Sequence, residues 1–96
     1  MAKGYWVTTY RSVSNPAALA RYAELAPSVI KAQGGRILAR GVAARAYEAG
    51  KTERSVVIEF DSVDAAIAAY ESPAYTEVRS LLEGAVERDV RIVAGV

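Results

Sequence analysis

The sequence predicts an α+β fold in which a four-stranded antiparallel sheet carries its helices on one face. Strand-like and helix-like segments alternate in the order β-α-β-β-α-β. Right-handed β-α-β connections of this kind place both helices on the same side of the sheet. The chain has 96 residues, the usual size of one domain, so residues 1–96 are expected to form a single ferredoxin-like domain.

The first half of the chain begins with a strand and a helix. Residues 4–11 are rich in aromatic and β-branched types and are apolar on both sides, which is typical of a central strand. Asn15–Pro16 is a helix-start signal, and Gly34–Gly35 ends the helix near Gln33. Pro27 lies inside this helix and predicts a kink or a break.

A hairpin follows the first helix. Arg36–Arg40 is predicted to be the second strand, with a β-bulge at Gly41 and a ragged continuation through residues 46–48. A loop at 49–53 leads to the third strand, residues 54–60, whose apolar residues alternate most clearly.

The last third of the chain holds a divided helix and a final strand. Asp61–Ser62 caps a helix from Val63 to about Tyr70. Ser72–Pro73 repeats the cap-plus-proline signal and restarts a helix that continues to Leu82 or Glu83. Residues 89–94 alternate as the fourth strand.

The composition limits the partners of this domain. Apolar residues make up 52% of the chain, and the sheet face away from the helices also carries apolar side chains, which favours a homodimer that pairs sheet to sheet into an α/β barrel. Twelve basic and eleven acidic residues are interleaved, so neither a nucleic acid nor a membrane is an expected partner. A cytoplasmic protein is expected, because no signal segment or membrane helix is evident.

The chain contains no cysteine and no histidine. Thiolate nucleophiles, Cys-based metal sites, haem ligation by imidazole and Ser-His catalysis are therefore excluded. We expect no cofactor and no protein-bound metal.

Several blocks resemble the domain of unknown function (DUF) 1330 family. Residues 34–41 are similar to its GGR-x-LARG block, and residues 54–60 to its R-x-VVIEF strand. A third pattern of that family, S-x-x-A…Y-x-S-x-x-Y-x-x-x-R, is matched by Ser62, Ala65, Tyr70, Ser72, Tyr75 and Arg79. The chain departs from the family at Val42, where a second glycine is often found.

The resemblance implies membership of the dimeric α/β-barrel superfamily. That superfamily hosts cofactor-free monooxygenases, lactone isomerases, haem enzymes and ligand-sensing modules, so the fold does not decide the function.

Glu59 and Glu48 are the candidate catalytic residues. Strand alternation places Glu59 on the face that would meet a second sheet, where burial would raise its pKa and suit it to act as a general base. Alternatively, Glu59 forms a structural ion pair with an arginine such as Arg36, Arg40 or Arg91, or it is exposed near the end of the barrel. Glu48 follows the predicted bulge, where side chains are often directed toward sites, or it lies at a solvated strand end.

The candidate substrate-binding residues are aromatic and basic, namely Trp6, Arg40, Tyr70, Tyr75 and Arg79. Together they could line a pocket between the sheet and the helices, with Arg40 binding a carboxylate through two hydrogen bonds. Alternatively, the tyrosines pack amphipathically, and Trp6 belongs to the core or a dimer interface together with Tyr10 and Tyr22.

Two functions fit these residues. The first is binding or transformation of a small acidic or aromatic metabolite without a protein-bound metal. The second is a non-catalytic ligand-sensing or protein-interaction module, which the absence of histidine and cysteine favours. The sequence leaves open whether the protein is an enzyme.

Overall fold

A computed structural model describes residues 2–96 and confirms the predicted fold class. The elements in chain order are β1 (Gly4–Val13), α1 (Pro16–Ala32), β2 (Arg36–Val42), β3 (Arg54–Phe60), α2 (Val63–Glu71), α3 (Pro73–Arg79), a 3₁₀ turn (Ser80–Leu82) and β4 (Val86–Ala94). The four strands form one antiparallel sheet in the order β2-β3-β1-β4. This is the ferredoxin-like arrangement that the order of elements predicts.

The two faces of the sheet have different surroundings. On β1, Trp6, Thr8 and Tyr10 are buried on the side that packs against the helices, which we call the helix face. The alternate residues Tyr5 and Val7 point to the opposite side, which we call the open face. The helices cover the helix face alone.

The core lies between the helix face and the helices. The Trp6 and Phe60 rings pack with centroids 5.0 Å apart. The Trp6 indole N–H donates a hydrogen bond to the carbonyl of Ala66 in α2, at 2.8 Å. Trp6 therefore anchors α2 to the central strand through both packing and a buried hydrogen bond.

Side-chain caps begin all three α-helices, as the sequence predicts. Asn15 accepts a hydrogen bond from the amide of Ala18, and Ser62 accepts one from the amide of Ala65. Ser72 ends α2 and also caps α3, accepting from the amide of Tyr75. The predicted division of the second helical segment is thus confirmed, and it turns the chain so that Tyr75 enters the core.

Three details differ from the prediction. Of the kink or break predicted at Pro27, the break is wrong, since α1 continues through this residue and a proline removes only one helical hydrogen bond. The strand irregularity lies between Ile37 and Ala39; Gly41 has a φ of +148° yet stays paired with Ser55. Residues 46–48 are not a strand, because β2 ends at Val42 and a longer loop follows.

Within residues 2–96, none of the helices is both long enough and apolar enough to span a membrane.

Candidate functional site: an arginine–tyrosine cleft

A cleft opens between the helix face of the sheet and α1. Its polar lining includes Thr8, three tyrosines and three arginines. We call it the arginine–tyrosine cleft after the last two groups: Tyr10, Tyr22, Tyr75, Arg40, Arg54 and Arg88. These residues come from all four strands and from helices α1 and α3, so only the folded chain brings them together.

The rest of the cleft is apolar and narrow. Ala26 and Ile30 of α1 face Val56 and Ile58 of β3 across it. The cavity has a volume of about 30 Å³. By the same measure one enclosed water needs roughly 10–15 Å³, so the cavity is too small for a metabolite as it stands. A metabolite therefore enters only if α1 and the arginines at the rim move apart.

Phenol groups and one guanidinium form a hydrogen-bonded cluster at one end of the cleft. The hydroxyls of Tyr22 and Tyr75 are 2.6 Å apart. Arg88 Nη2 donates to the Tyr75 oxygen at 3.0 Å, and Nη1 lies 3.5 Å from the Tyr10 oxygen. The Arg88 guanidinium also lies over the rings of Tyr10 and Tyr22, at 5.8 and 5.6 Å from their centroids.

The protonation states of this cluster are fixed by its surroundings. Burial raises the pKa of the Tyr22 phenol well above its ordinary value, and neighbouring Tyr75 adds to the rise. Burial alone would lower the pKa of Arg88, but the phenol oxygens of Tyr75 and Tyr22 outweigh it and the pKa is raised. At neutral pH the Arg88 guanidinium is thus a cation and the Tyr22 phenol is neutral.

Arg54 and Arg40 occupy the other end of the cleft. The Arg54 Nε is buried and has no hydrogen-bond partner in residues 2–96. Arg40, by contrast, is exposed. Their strand positions are diagonal neighbours, since Arg40 pairs with Val56 and Arg54 with Val42. Side chains at diagonal positions of adjacent strands are within reach of each other.

Positive charge in this cleft is not neutralised by the chain itself. Across the described part of the chain, Arg40, Arg54 and Arg88 form no salt bridge with a carboxylate. Among residues 2–96, no aspartate or glutamate lines the cleft. An anion is the ligand that these groups can bind through charge-assisted hydrogen bonds.

The predicted binding residues fall into two groups. Trp6, Arg40 and Tyr75 line the cleft. Tyr70 and Arg79 do not line the cleft, and the Arg79 guanidinium lies 4.9 Å from the centroid of the Tyr70 ring. Tyr70 meets the Trp6 ring edge-on, at 5.6 Å between centroids. The structure therefore does not form the single five-residue pocket that the sequence predicts.

The predicted base Glu59 lies on the open face, away from the cleft. Its carboxylate accepts a hydrogen bond from the Tyr5 hydroxyl at 2.8 Å and from Arg36 Nε at 3.0 Å. The hydrogen bonds from Tyr5 and from Arg36 lower the pKa of Glu59. The alternative pairing of Glu59 with Arg36 is therefore observed in the single chain, and the raised pKa expected beside a second sheet stays a prediction.

Glu48, the other candidate base, lies in the loop between β2 and β3. It has a φ of +55°, and its side chain is exposed and does not line the arginine–tyrosine cleft. Neither predicted carboxylate is thus positioned to remove a proton from a molecule in that cleft.

The family model for a domain of unknown function, DUF1330, matches residues 3–96. The chain belongs to the DUF1330 family. The resemblance seen in the sequence blocks is thereby confirmed, and it extends over almost the whole chain.

Several solved structures have the same fold as this DUF1330 chain. One is a protein of unknown function from Rhodopseudomonas palustris, at 16% identity and a TM-score of 0.75, covering 99% of this chain and 83% of that one. A dimeric ferredoxin-like protein of unknown function from Thermobifida fusca has 15% identity and a TM-score of 0.70, with coverage of 97% and 91%.

A third similar structure is SnoaB, described as a cofactor-independent oxygenase from Streptomyces nogalater. It has 15% identity and a TM-score of 0.66, with coverage of 100% of this chain and 95% of that chain. At such identities the likeness establishes the fold alone. Among curated proteins, none matches the DUF1330 chain significantly.

Two arginines of the cleft, Arg54 and Arg88, are not among the site residues predicted from the sequence, although strand alternation gives a signal for each. Arg54 shares the alternation of Val56 and Ile58, which places it on the helix face. Arg88 shares the alternation of Val90 and Ile92, but the fourth strand predicted from the sequence begins only at residue 89, whereas β4 begins at Val86. The Tyr22–Tyr75 contact joins residues 53 positions apart and has no local signal.

Proposed function

We propose that this DUF1330 protein binds a small acidic metabolite with an apolar or aromatic body in the arginine–tyrosine cleft. The observation that carries this proposal is the buried Arg54 Nε, which lines the cleft without a hydrogen-bond partner in the described residues. A buried donor on a charged group is costly to leave unpaired, because it has lost its hydration. A ligand carboxylate would supply the missing acceptor.

The cluster at the other end supports the same ligand class. In the described residues, Arg88 has phenol oxygens rather than carboxylates as its hydrogen-bond acceptors. The apolar side chains of Ala26, Ile30 and Ile58 would contact the body of the ligand. Specific sites typically combine such an apolar lining with a few convergent polar groups.

Binding is favoured over proton abstraction by Glu59 or Glu48. Both carboxylates lie outside the cleft, and the lowered pKa of Glu59 makes it a weaker base. SnoaB acts as an oxygenase on a similar fold, but a shared fold does not carry a reaction from one protein to another. The non-catalytic ligand-sensing module is therefore the form of the proposal that we adopt.

We further propose that the protein is a homodimer that pairs through the open face. Val7 and Val57 are cross-strand partners at the centre of this face, and Val93 on β4 is 47% exposed. No helix covers these side chains in residues 2–96, and a second sheet would remove them from water. The dimeric Thermobifida fusca neighbour has the same fold.

Native mass spectrometry tests the homodimer. The wild-type protein should appear at twice the chain mass, and Val57→Lys should shift it to the monomer. Val42→Lys is the matched control, because Val42 is 73% exposed at the edge strand β2. A monomeric wild type, or a dimer that survives Val57→Lys, would contradict pairing through this face.

Ligand binding can be followed by the fluorescence of Trp6, the one tryptophan of the chain, which lines the cleft. Benzoate and butyrate are suitable acid probes, with benzamide and butyramide as neutral partners of similar shape. We expect saturable fluorescence changes with at least one acid and at least tenfold weaker binding of its amide. The proposal fails if amides bind as well as acids, or if neither acid binds.

Arg88→Gln tests the location of the site. It removes the charge from the phenol cluster, and we expect it to weaken acid binding at least tenfold. Arg21→Gln is the control, because Arg21 is exposed on α1 and pairs with Glu24 outside the cleft. An equal loss of acid affinity in Arg88→Gln and Arg21→Gln would place the acid-binding site outside the arginine–tyrosine cleft.

A further inference from the structure

The arginines of the arginine–tyrosine cleft start from two separate parts of the sheet. One is Arg88 on β4, bonded to the phenols beneath the helices. The other is the Arg40–Arg54 pair on β2 and β3. We call them the phenol pole and the rim pole.

The sheet register sets the distance between the two poles. Arg88 pairs directly with Tyr10 on β1. Arg54 precedes Ser55, the partner of Thr9, so Arg54 comes beside Tyr10 where the β1–β3 pairing ends. Tyr10 thus stands between the poles. With strands roughly 4.8 Å apart, the backbones of Arg88 and Arg54 are separated by about 10 Å.

One carboxylate cannot satisfy both poles. The phenol pole holds a single charged guanidinium, so one carboxylate balances it. The rim pole would keep two more positive charges, including the buried Arg54 Nε that has no partner in the described part of the chain. Like charges in a partly desolvated cleft repel one another unless an anion lies between them.

We infer that the natural ligand is a dianion, a short molecule with an acidic group at each end of an apolar body. One acidic group would bind Arg88, and the other would bind the rim pole, where Arg40 and Arg54 can share it. Val56, which pairs with Arg40, and Thr8, which pairs with Val56, line the cleft next to Arg54 and Tyr10 and would contact the body. This inference rests on the proposed binding of acids in the same cleft.

Matched pairs of monoacid and diacid probes distinguish the dianion inference from the proposed binding of acids in general. Butyrate is compared with succinate, and benzoate with terephthalate, using Trp6 fluorescence on the full chain. We expect the diacid of at least one pair to bind about tenfold or more tightly than its monoacid, because an added charge-assisted hydrogen bond is worth roughly that factor.

Substitutions at the rim pole test the assignment of the second acidic group. Arg40→Gln changes an exposed residue and should fold normally. It should reduce the ratio of diacid to monoacid affinity severalfold, because the rim pole then holds one charge fewer for the second acidic group. Arg40→Gln combined with Arg54→Gln should bring the ratio of diacid to monoacid affinity close to one. A purely structural role for these arginines would weaken monoacid and diacid alike.

The outcomes are distinguishable. Monoacid binding with no diacid preference overturns the dianion inference and leaves the proposed function intact. A diacid preference that survives both rim substitutions also overturns it. No binding of any of the four acids overturns the proposed function itself.

Discussion

The Tyr22 hydroxyl lies 2.6 Å from the Tyr75 hydroxyl, and Tyr75 also accepts a hydrogen bond from Arg88 at 3.0 Å. Tyr75 is therefore the shared partner of a helix residue and a strand residue. Because it belongs to the short helix α3, this one phenol oxygen connects α1, α3 and β4.

Tyr75→Phe should destabilise the protein by about 1–3 kcal/mol, because it leaves the Arg88 guanidinium and the Tyr22 hydroxyl without their buried partner. Tyr22→Phe should cost less, about 1 kcal/mol, because Tyr75 would still be bonded to Arg88. Urea unfolding of both variants measures the difference. A larger loss for Tyr22→Phe would contradict the central position of Tyr75.

The pH dependence of stability should include a contribution from Glu59. Its pKa is lowered in the folded state by hydrogen bonds from Tyr5 and Arg36, so the unfolded state binds more protons in acid. The stabilisation is present above the ordinary glutamate pKa of about 4.3 and is lost as the pH falls through the lower folded value.

Glu59→Gln should therefore flatten the decline in the free energy of unfolding below about pH 4.3. Asp61 also pairs with Arg36 and has a lowered pKa, so part of the decline should remain. Glu71→Gln, at an exposed carboxylate that ends α2, is the control. Identical pH profiles for Glu59→Gln and the wild type would contradict the contribution of Glu59.

Trp6→Phe should destabilise the protein by about 1–3 kcal/mol. It removes the indole N–H bond to the Ala66 carbonyl and leaves space beside the Tyr70 and Tyr75 rings. Tyr47→Phe is the matched control, because Tyr47 is 72% exposed and its loss of a hydroxyl should change stability by less than about 0.5 kcal/mol. Thermal unfolding followed by circular dichroism compares the two variants.

Gly4→Ala should destabilise the protein by about 1–3 kcal/mol through overpacking. A Cβ at this position would collide with the backbone carbonyl of Ser62, which cannot move independently of the start of α2. Gly84→Ala would meet no atoms, and its cost should come from a φ of +70° alone. Urea unfolding of both variants separates steric overlap from backbone strain, and a neutral Gly4→Ala would contradict the close approach.

The parts of the fold that local chemistry determines could be predicted from the sequence. The caps at Asn15, Ser62 and Ser72 are examples, since each needs only its own side chain and an amide three residues later. The bulge was misplaced because glycine permits an irregular backbone without requiring one, and Gly41 stays in register.

The site was less predictable, because it depends on which elements meet. Strand alternation placed Glu59 on the open face, but its pKa depends on Tyr5 and Arg36, which lie on the two neighbouring strands. The rings of Tyr70 and Tyr75 pack against each other, with centroids 5.4 Å apart, yet only Tyr75 lines the cleft. Long-range contacts of this kind leave no periodic pattern in the chain.

Strand β1 has a consequence for how the protein can diverge. Its even-numbered residues Trp6, Thr8 and Tyr10 line the cleft, whereas its odd-numbered residues Tyr5 and Val7 belong to the open face. Codons that alternate along one short stretch of the gene therefore govern two different surfaces. Variation restricted to the even-numbered residues could alter ligand preference without changing subunit pairing. Variation restricted to the odd-numbered residues could alter subunit pairing without changing ligand preference.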